Sequence, residues 1–274
     1  MIGYASKRRI SRFLTYTILI ITAIMVLYPV VWIITGSLNP GDSLFSTRLI
    51  PEKLSFRHYV RLFTDTDYLI WYKNTLKIAV WNMILSTFLV VTAAYAFSRF
   101  RFPGRRQGLM AMLVLQMFPG FMGMIAIYIL LLQLGLLDNH WGLILVYAGG
   151  QIPFGAWLVK GYFDGLPRSL EESATHIQIF TKIMFPLSKP ILVFIAVNNF
   201  IGPWMDFIFA RLVLRTSAKK TLAVGLFEFV TGRSNTEFTT FAAGAVLVAV
   251  PITILFYIFQ DHLVEGLKAG ANKG

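Results

Sequence analysis

The sequence contains no cysteine among its 274 residues, so disulfide bonds, thiolate zinc sites and cysteine nucleophiles are excluded. The phosphate-binding pattern Gly-x-x-x-x-Gly-Lys-Ser/Thr is absent as well. If ATP drives this protein, the nucleotide must therefore bind to another chain.

Histidine is scarce too. The 4 histidines, His58, His140, His176 and His262, lie in separate loops or helix ends, and none forms the helical pair of a His-Glu-x-x-His motif. Solvated surface histidines explain this pattern better than a metal or catalytic site. We predict no metal site, no catalytic residue and no enzyme activity for this chain.

The composition predicts an integral membrane protein. Hydrophobic residues make up 56% of the chain and the mean hydropathy is +0.66, which argues against a soluble domain. The net charge of +12 is scattered over loop clusters, and the aromatic residues lie mostly inside apolar runs. This distribution disfavours nucleic acid as a partner, and anionic lipid head groups are the simpler explanation of the basic loops.

Six apolar runs predict an all-α, polytopic membrane protein with six transmembrane helices, because a span requires roughly 20 apolar residues. The runs are about 13–36, 75–97, 108–136, 141–162, 190–209 and 241–259. Pro119-Gly120 interrupts the third run, so a kink or a tilt is expected there. The first run is longer than the apolar core of a signal peptide and lacks a small-residue cleavage site, which favours an uncleaved span.

The loops between these runs set the predicted domain organisation. Residues 1–12 form a cytoplasmic N-terminal tail, 13–264 the transmembrane domain and 265–274 a cytoplasmic C-terminal tail, with external loops at about 37–74 and 210–240 and a cytoplasmic loop at about 163–189. Lys and Arg number 14 on the predicted inner side and 10 in the external loops. The excess is modest, but the external charges lie in long loops, where the positive-inside rule weakens.

The longest amphipathic segment between two apolar runs is 165–190. Pro167 suits the first turn of a helix, and the two glutamates that follow suit the positive end of its dipole. Apolar residues then recur at three- and four-residue steps: Ile177, Phe180, Ile183 and Met184. Pro186 and Pro190 are expected to break this helix just before the next apolar run.

This segment resembles the EAA loop of ABC importer permeases. Glu172-Ser173-Ala174 corresponds to the Glu-Ala-Ala motif, and Phe185-Pro186-Leu187 to the Leu-Pro region. Further matches are Leu166-Pro167, the run 221–225, Pro251-Ile252-Thr253 and the C-terminal run 266–274. They extend the resemblance over nearly the whole chain, towards the shorter permease subunit of maltose and maltodextrin transporters among the binding-protein-dependent inner-membrane components.

One part of that family pattern is absent. The Asp-Gly-Ala that follows Glu-Ala-Ala in the family has no counterpart here, and Ala174 runs directly into Thr175. Glycine at that place would turn the chain between two short helices, since it tolerates positive φ. A natural variant, an engineered deletion and a segment missing between Ala174 and Thr175 would each produce this sequence, and the good match of the flanks favours the third.

The resemblance implies a type I ABC importer permease fold in a bacterial cell membrane, with both termini in the cytoplasm. It implies no cofactor in this chain, ATP and Mg²⁺ bound by two copies of a partner ATPase, a second permease subunit and an extracytoplasmic sugar-binding protein. Maltose or maltodextrin is the expected cargo, moved by alternating access. The closer rival keeps the class and changes the cargo to another oligosaccharide or a polyol.

Site residues follow from the same resemblance. The ATPase would be contacted through the loop by Glu171, Glu172, Ser173, Ala174, Ile177 and Phe180, and through the tail by Lys268, Asn272 and Lys273. Asn199 and Asp206 are candidates for the translocation path, because polar groups inside a membrane usually face a cavity or a neighbouring helix. Trp204 is a further candidate because sugar pathways use aromatic faces that stack on pyranose rings, although packing or lipid contact also explains it. Asp206 lies near the end of its run, where contact with water explains it equally well.

A rival from another class is an ion-coupled secondary transporter. That class needs intramembrane acidic residues and often shows an internal repeat. Only Asp206 offers the first feature, and the two halves of the sequence show no evident repeat. The residues therefore favour the ATP-driven importer.

Overall fold

The structure, a computed structural model, describes residues 4–42, 51–167, 175–231 and 237–271, and every regular element in these ranges is a helix. The α-helices are α1 (Tyr4–Ser37), α2 (Arg57–Thr64), α3 (Tyr68–Arg99), α4 (Arg105–Gln116), α5 (Met124–Gln133), α6 (His140–Asp164), α7 (His176–Gln178), α8 (Phe185–Leu187), α9 (Lys189–Met205), α10 (Ile208–Val213), α11 (Leu222–Thr231) and α12 (Phe238–Ala271). Two 3₁₀ turns cover Gly120–Gly123 and Ser217–Lys219, and a π-helix covers Ile179–Met184.

Among the described residues, four helices are long and apolar enough to cross a membrane: Ser11–Ser37, Tyr68–Arg99, His140–Asp164 and Phe238–Gly266. Two further spans are each broken into a bent pair, Arg105–Gln116 with Gly120–Gln133 and Ile179–Leu187 with Lys189–Met205. The first pair bends by 94° at the place where Pro119 was expected to interrupt the third span. Counting each pair as one span brings the total to six.

The segments predicted as external loops are partly helical, and their external location stays a prediction. The loop expected at 37–74 contains α2 and ends at α3, which already begins at Tyr68. The loop expected at 210–240 contains most of α10 and all of α11, whose Leu222, Val224 and Leu226 are buried. Helices α2, α10 and α11 are too short to cross a membrane, and burial against other helices stabilises them.

The helices at both ends of the chain extend into the predicted tails, whose cytoplasmic location stays a prediction. Helix α1 begins at Tyr4, inside the predicted N-terminal tail, and α12 runs to Ala271, so residues 265–271 are helical. Gly266 allows α12 to lie close to α9, because a Cβ there would come within 3.2 Å of the Pro190 carbonyl oxygen and of Phe194 Cβ. Helix α12 therefore still packs against α9 at Gly266, beyond the end of the sixth apolar run.

The chain divides into two compact units, Met1–Thr66 with Glu228–Ala249 and Asp67–Phe227 with Val250–Gly274. In the first unit, polar contacts join α2 to the neighbourhood of α12. His58 Nδ1 lies 2.9 Å from Thr240 Oγ1, and the Arg61 guanidinium lies 2.9 Å from Glu237 Oε1. A hydrogen bond of 2.6 Å between Ser37 and Tyr59 adds the end of α1 to this set.

We expect the first unit to lose stability in mild acid because of His58, which has no exposed surface. Burial lowers the pKa of His58 below its ordinary value of 6.5, against a smaller opposing effect of Asp42. The unfolded chain thus binds this proton at higher pH than the folded chain. Stability should be unaffected above pH 6.5 and should fall below it, by up to about 1.4 kcal/mol per pH unit until the folded pKa is reached.

Thermal unfolding of the purified protein at about pH 7.5 and about pH 5.5 measures this effect. The variant His58→Gln should lower the midpoint at both pH values and flatten the difference between them. An equal acid sensitivity in wild type and variant would contradict the assignment to His58.

The second unit is built around α3, which packs along α6 and α9. One apolar cluster joins α3 and α6 to the π-helix and α9 through Val90, Val159, Phe163, Met184 and Ile191, each with no exposed surface. Gly155 lets α6 approach α3, since a Cβ there would lie 2.7 Å from a Val90 methyl group. The other ends of α3 and α6 share a second cluster with α5 and α10.

Asp138 fastens the loop after α10 in this unit. Its carboxylate accepts hydrogen bonds from the backbone N–H of Arg215 and Thr216 at 2.9 and 3.0 Å, and from the Thr216 hydroxyl at 2.6 Å. Lys219 Nζ lies 3.1 Å from the same carboxylate. Partial burial raises the pKa of Asp138, but these hydrogen bonds outweigh it and hold the pKa well below its ordinary value.

Candidate functional site

A short helical segment, residues 176–187, lies between α6 and α9 and comprises α7, the π-helix and α8; we call it the interhelical segment. It begins with a capping box, in which Thr175 Oγ1 accepts from the Gln178 N–H at 3.4 Å and Gln178 Oε1 accepts from the Thr175 N–H at 3.1 Å. The pattern Thr-x-x-Gln is a known helix start, although the sequence analysis placed the start nearer to Pro167. The residues between, 168–174, lie outside the described part of the chain.

The helix is broken between Pro186 and Pro190, just before the next apolar run, as the sequence predicted. Pro186 lies inside α8, which follows the π-helix directly, and Pro190 is the second residue of α9. The bend of 78° falls at Ser188 between them. A proline near the start of a helix needs no intrahelical donor, so both residues are compatible with the helices that contain them.

One face of the interhelical segment is packed against α3 and α6. Met184 has no exposed surface and Ile179 is 6% exposed, and both belong to the cluster that contains Phe163. The Phe180 ring stands edge-on to Tyr95 with ring centroids 5.0 Å apart. Phe180 is therefore held from the side of α3.

The segment also meets α3 through His176. The Tyr95 hydroxyl donates to the His176 carbonyl oxygen at 3.1 Å, and the Phe100 and His176 rings lie 5.0 Å apart. Tyr95, Phe100, His176 and Phe180 line a groove of about 290 Å³. Lys182, Phe185 and Leu187 of the same segment are exposed, and Phe185 lines a further groove of about 350 Å³ together with Phe180.

Only part of the predicted ATPase-contacting set falls on described residues. Glu171, Glu172, Ser173 and Ala174 lie outside them, as do Asn272 and Lys273. Ile177 and Lys268 belong to α7 and α12, but their side chains are not described. Phe180 alone can be located in detail, and its ring packs against Tyr95.

Two of the three candidates for the translocation path, Trp204 and Asp206, contact other residues of this chain. Trp204 is 5% exposed, and its ring meets Tyr72 edge-on at 5.3 Å between centroids. Asp206 ends α9 and caps α10, accepting from the N–H groups of Phe209 and Ala210 at 3.1 Å and from the Tyr147 hydroxyl. Their role in a path remains a prediction.

Asn199 is likewise buried, and α3 supplies a partner that the sequence analysis did not consider. Asn82 Nδ2 donates to the Asn199 carbonyl oxygen at 2.6 Å, and the Ser86 hydroxyl donates to the Asn82 carbonyl oxygen at 2.5 Å. Asn82 Oδ1 and Asn199 Nδ2 are buried without a hydrogen-bond partner. Asn82 lies in the second apolar run, and the sequence around it gave no indication of which residue its side chain would contact.

A second set of residues missed by sequence reasoning lies where α3 and α6 end, beside the π-helix. It consists of Ser98, Arg99, Lys160 and Asp164. In the sequence, Arg99 was only one of several charges in a basic loop. Nothing in the linear pattern indicates that the ends of α3 and α6 coincide.

The arrangement of helices matches solved ABC importers. With a TM-score of 0.81 and 27% sequence identity, 95% of this chain matches 99% of a chain in the crystal structure of a bacterial ABC transporter involved in the import of the acidic polysaccharide alginate. A bacterial alginate ABC transporter in complex with its alginate pentasaccharide-bound periplasmic protein gives a TM-score of 0.69 at 16% identity, over 92% and 94% of the two chains. The fold defines an ABC importer permease, as the sequence analysis predicted.

Sequence comparison identifies the family. Residues 86–269 match the model of the binding-protein-dependent transport system inner membrane component. The chain is 43% identical over 276 residues to the galactooligosaccharides transport system permease protein GanQ of Bacillus subtilis, with 98% of each covered. It is 38% identical to the maltodextrin permease protein MdxG of that organism, over 98% and 99% of the two chains, and 36% identical to the maltose/maltodextrin permease protein MalG of Escherichia coli, over 96% of each.

The chain therefore belongs to the binding-protein-dependent transport system inner membrane components. These relatives confirm the resemblance to permease subunits of carbohydrate ABC importers.

Proposed function

We propose that this chain is one of two permease subunits of an ATP-driven oligosaccharide importer and that the interhelical segment couples it to the ATPase. The packing of this segment carries the proposal. Ile179, Phe180 and Met184 pack against α3 and α6, while Phe185 and Leu187 of the same segment remain exposed. An exposed apolar surface on a short helix between spans is suited to a protein partner.

The energy source in this proposal is a separate ATPase. The sequence has no phosphate-binding loop, so two partner chains would bind ATP and Mg²⁺. Their closure would move the interhelical segment, and the helices packed on it would rock between outward-facing and inward-facing states. With both termini in the cytoplasm, the segment lies on the side of the ATPase, which agrees with the excess of basic residues predicted there.

Helix α1 supports the presence of a second permease. Its most apolar window has a mean hydropathy of 2.5, and none of that window is buried inside the chain. Apolar side chains project on all sides, among them Phe13, Met25 and Tyr28. Lipid covers part of such a helix, and the second permease would cover the rest.

The cargo we propose is a short neutral oligosaccharide, delivered by an extracytoplasmic binding protein. The relatives named for galactooligosaccharides and for maltodextrins are 43% and 38% identical to this chain, which is too small a difference to choose between the two sugars. Asn199 and Trp204 are buried inside this subunit and Asp206 caps α10, so we infer that the second permease supplies most of the contacts to the sugar.

Co-purification tests the assembly. The tagged chain, extracted gently from its native membrane, should retain a Walker-motif ATPase and a second permease in stoichiometric amounts. In lipid nanodiscs with the binding protein, maltotriose or galactotriose should stimulate ATP hydrolysis. The variant Glu172→Ala should release the ATPase, whereas Glu52→Ala, in the predicted external loop, should not.

A chain that purifies alone under these conditions would overturn the proposal and favour a secondary transporter. Stimulation by only one of the two trisaccharides would assign the cargo. An assembled complex that neither trisaccharide stimulates would contradict the proposed cargo class while leaving the assembly in place.

A further inference from the structure

We propose that Ser98, Arg99 and Asp164 form a joint that positions the interhelical segment and transmits its movement to α3 and α6 together. This inference rests on the proposed coupling function of the segment. We call the three residues the α3–α6 joint. They are not among the ATPase-contacting residues predicted above, and they lie at the ends of α3 and α6.

The centre of the joint is the Ser98 hydroxyl, which is 1% exposed. It accepts a hydrogen bond from Arg99 Nη1 at 2.8 Å and donates one to Asp164 Oδ1 at 2.7 Å. The hydroxyl thereby connects a cation at the end of α3 to a carboxylate at the end of α6. Lys160 Nζ, 2.5 Å from Asp164 Oδ2, holds the second carboxylate oxygen.

The same guanidinium reaches the interhelical segment. Arg99 Nη2 donates to the Phe163 carbonyl oxygen at 3.0 Å and lies 3.5 Å from the Met184 sulfur atom. Phe163 is in the last turn of α6, where a cation is favoured, and its carbonyl oxygen also accepts from the Leu166 N–H at 3.2 Å. One side chain of α3 therefore contacts both the end of α6 and the end of the π-helix.

Arginine suits this position for a geometric reason. Its planar fork can donate from separate nitrogen atoms to Ser98 on one side and to Phe163 and Met184 on the other. A lysine ammonium is a compact charge and cannot span these acceptors at once. A lysine at position 99 would keep the electrostatic attraction to Asp164 but would not hold Ser98, Phe163 and Met184 in a fixed orientation.

The element that the α3–α6 joint positions is the π-helix of the interhelical segment. A π-helix is an uncommon backbone form, often found at functional sites, and here it has six residues, Ile179–Met184. Its location is set by side chains that α3 and α6 hold. Because Arg99 touches the last residue of the π-helix, a shift of that residue displaces the ends of both helices through one rigid group.

The test compares Arg99→Lys and Ser98→Ala with Arg101→Lys, an exposed arginine of the same loop, in the assembled complex. Two quantities are measured: the amount of co-purified ATPase, and the ratio of ATP hydrolysis with binding protein and maltotriose or galactotriose to basal hydrolysis. The expected result is unchanged assembly with the ratio reduced roughly tenfold in Arg99→Lys and several-fold in Ser98→Ala. Arg101→Lys should match the wild type.

The outcomes separate this inference from the proposed function. If wild type itself retains no ATPase, the proposed function fails first. If wild type is coupled and both joint variants keep its stimulation ratio, the joint does not transmit and the inference is overturned. If both variants lose the ATPase altogether, the three residues hold the fold or the interface instead, which also overturns it.

Discussion

Replacing Gly225 with alanine is expected to prevent normal folding of the second unit. A Cβ atom at Gly225 would come within 2.6 Å of three atoms of the Trp71 indole. Trp71 is 6% exposed and cannot swing into solvent, and the Leu222 N–H is already hydrogen-bonded to Thr75 Oγ1 of α3 at 2.8 Å. Helix α11 would have to move away from α3, at a cost of roughly 3 kcal/mol or more.

The matched control is Gly202→Ala in α9, where nothing lies within 4 Å of the added atom. That change should be neutral or slightly stabilising, because alanine restricts the unfolded chain more than glycine does. Yield after detergent extraction and the thermal midpoint of the monodisperse fraction measure both variants. Equal midpoints for Gly225→Ala and Gly202→Ala would show that α11 does not pack on Trp71 as described.

Truncating Phe180 to alanine is expected to abolish most transport while leaving the ATPase bound. Phe180 and Thr92 both line two adjoining grooves of about 290 and 350 Å³, and the Phe180 ring rests on Tyr95. Removing the ring merges the grooves and removes the aromatic contact of the π-helix with α3. Uptake and sugar-stimulated ATP hydrolysis should fall by roughly tenfold or more, with a loss of roughly 3 kcal/mol in stability.

Lys182→Ala, on the exposed side of the same segment, is the control for Phe180→Ala. It keeps the packing on α3 and should leave the stimulation ratio near that of wild type. The quantity that distinguishes the two roles of Phe180 is the co-purified ATPase. If Phe180→Ala loses the ATPase, the ring serves as a direct contact with the partner, as the family resemblance implied, and the positioning role is contradicted.

The membrane architecture could be predicted from the linear pattern because hydropathy acts locally. A run of apolar residues such as 13–36 must leave water whatever its neighbours are, and Pro119 removes a helix hydrogen bond in any context. The absence of cysteine and of a phosphate-binding loop excluded chemistries without any structure. The family resemblance rested on short motifs, and these also needed no tertiary information.

Short helices were beyond this kind of reasoning. Helix α11 is ten residues long, which is too short for a membrane span, so the search for apolar runs did not predict it. Helix α11 is held against α3 by the close approach of Gly225 to Trp71 and by the hydrogen bond from the Leu222 N–H to Thr75. Likewise, the polar group of Asp206 was ambiguous in sequence, and the structure shows that it caps α10.

The amino-acid order alone was enough to establish an all-helical membrane protein and to indicate its class, since both depend on composition and on residues close together in the chain. The joint of Ser98, Arg99 and Asp164 depends on two helix ends that are far apart in the sequence. Arg99 and Phe163, which are hydrogen-bonded there, are separated by 64 positions. Such a site exists only when packing of α3 on α6 brings those ends together. A hydrogen bond requires its two atoms to lie within about 3 Å of each other, and the linear sequence does not show which distant residues come that close.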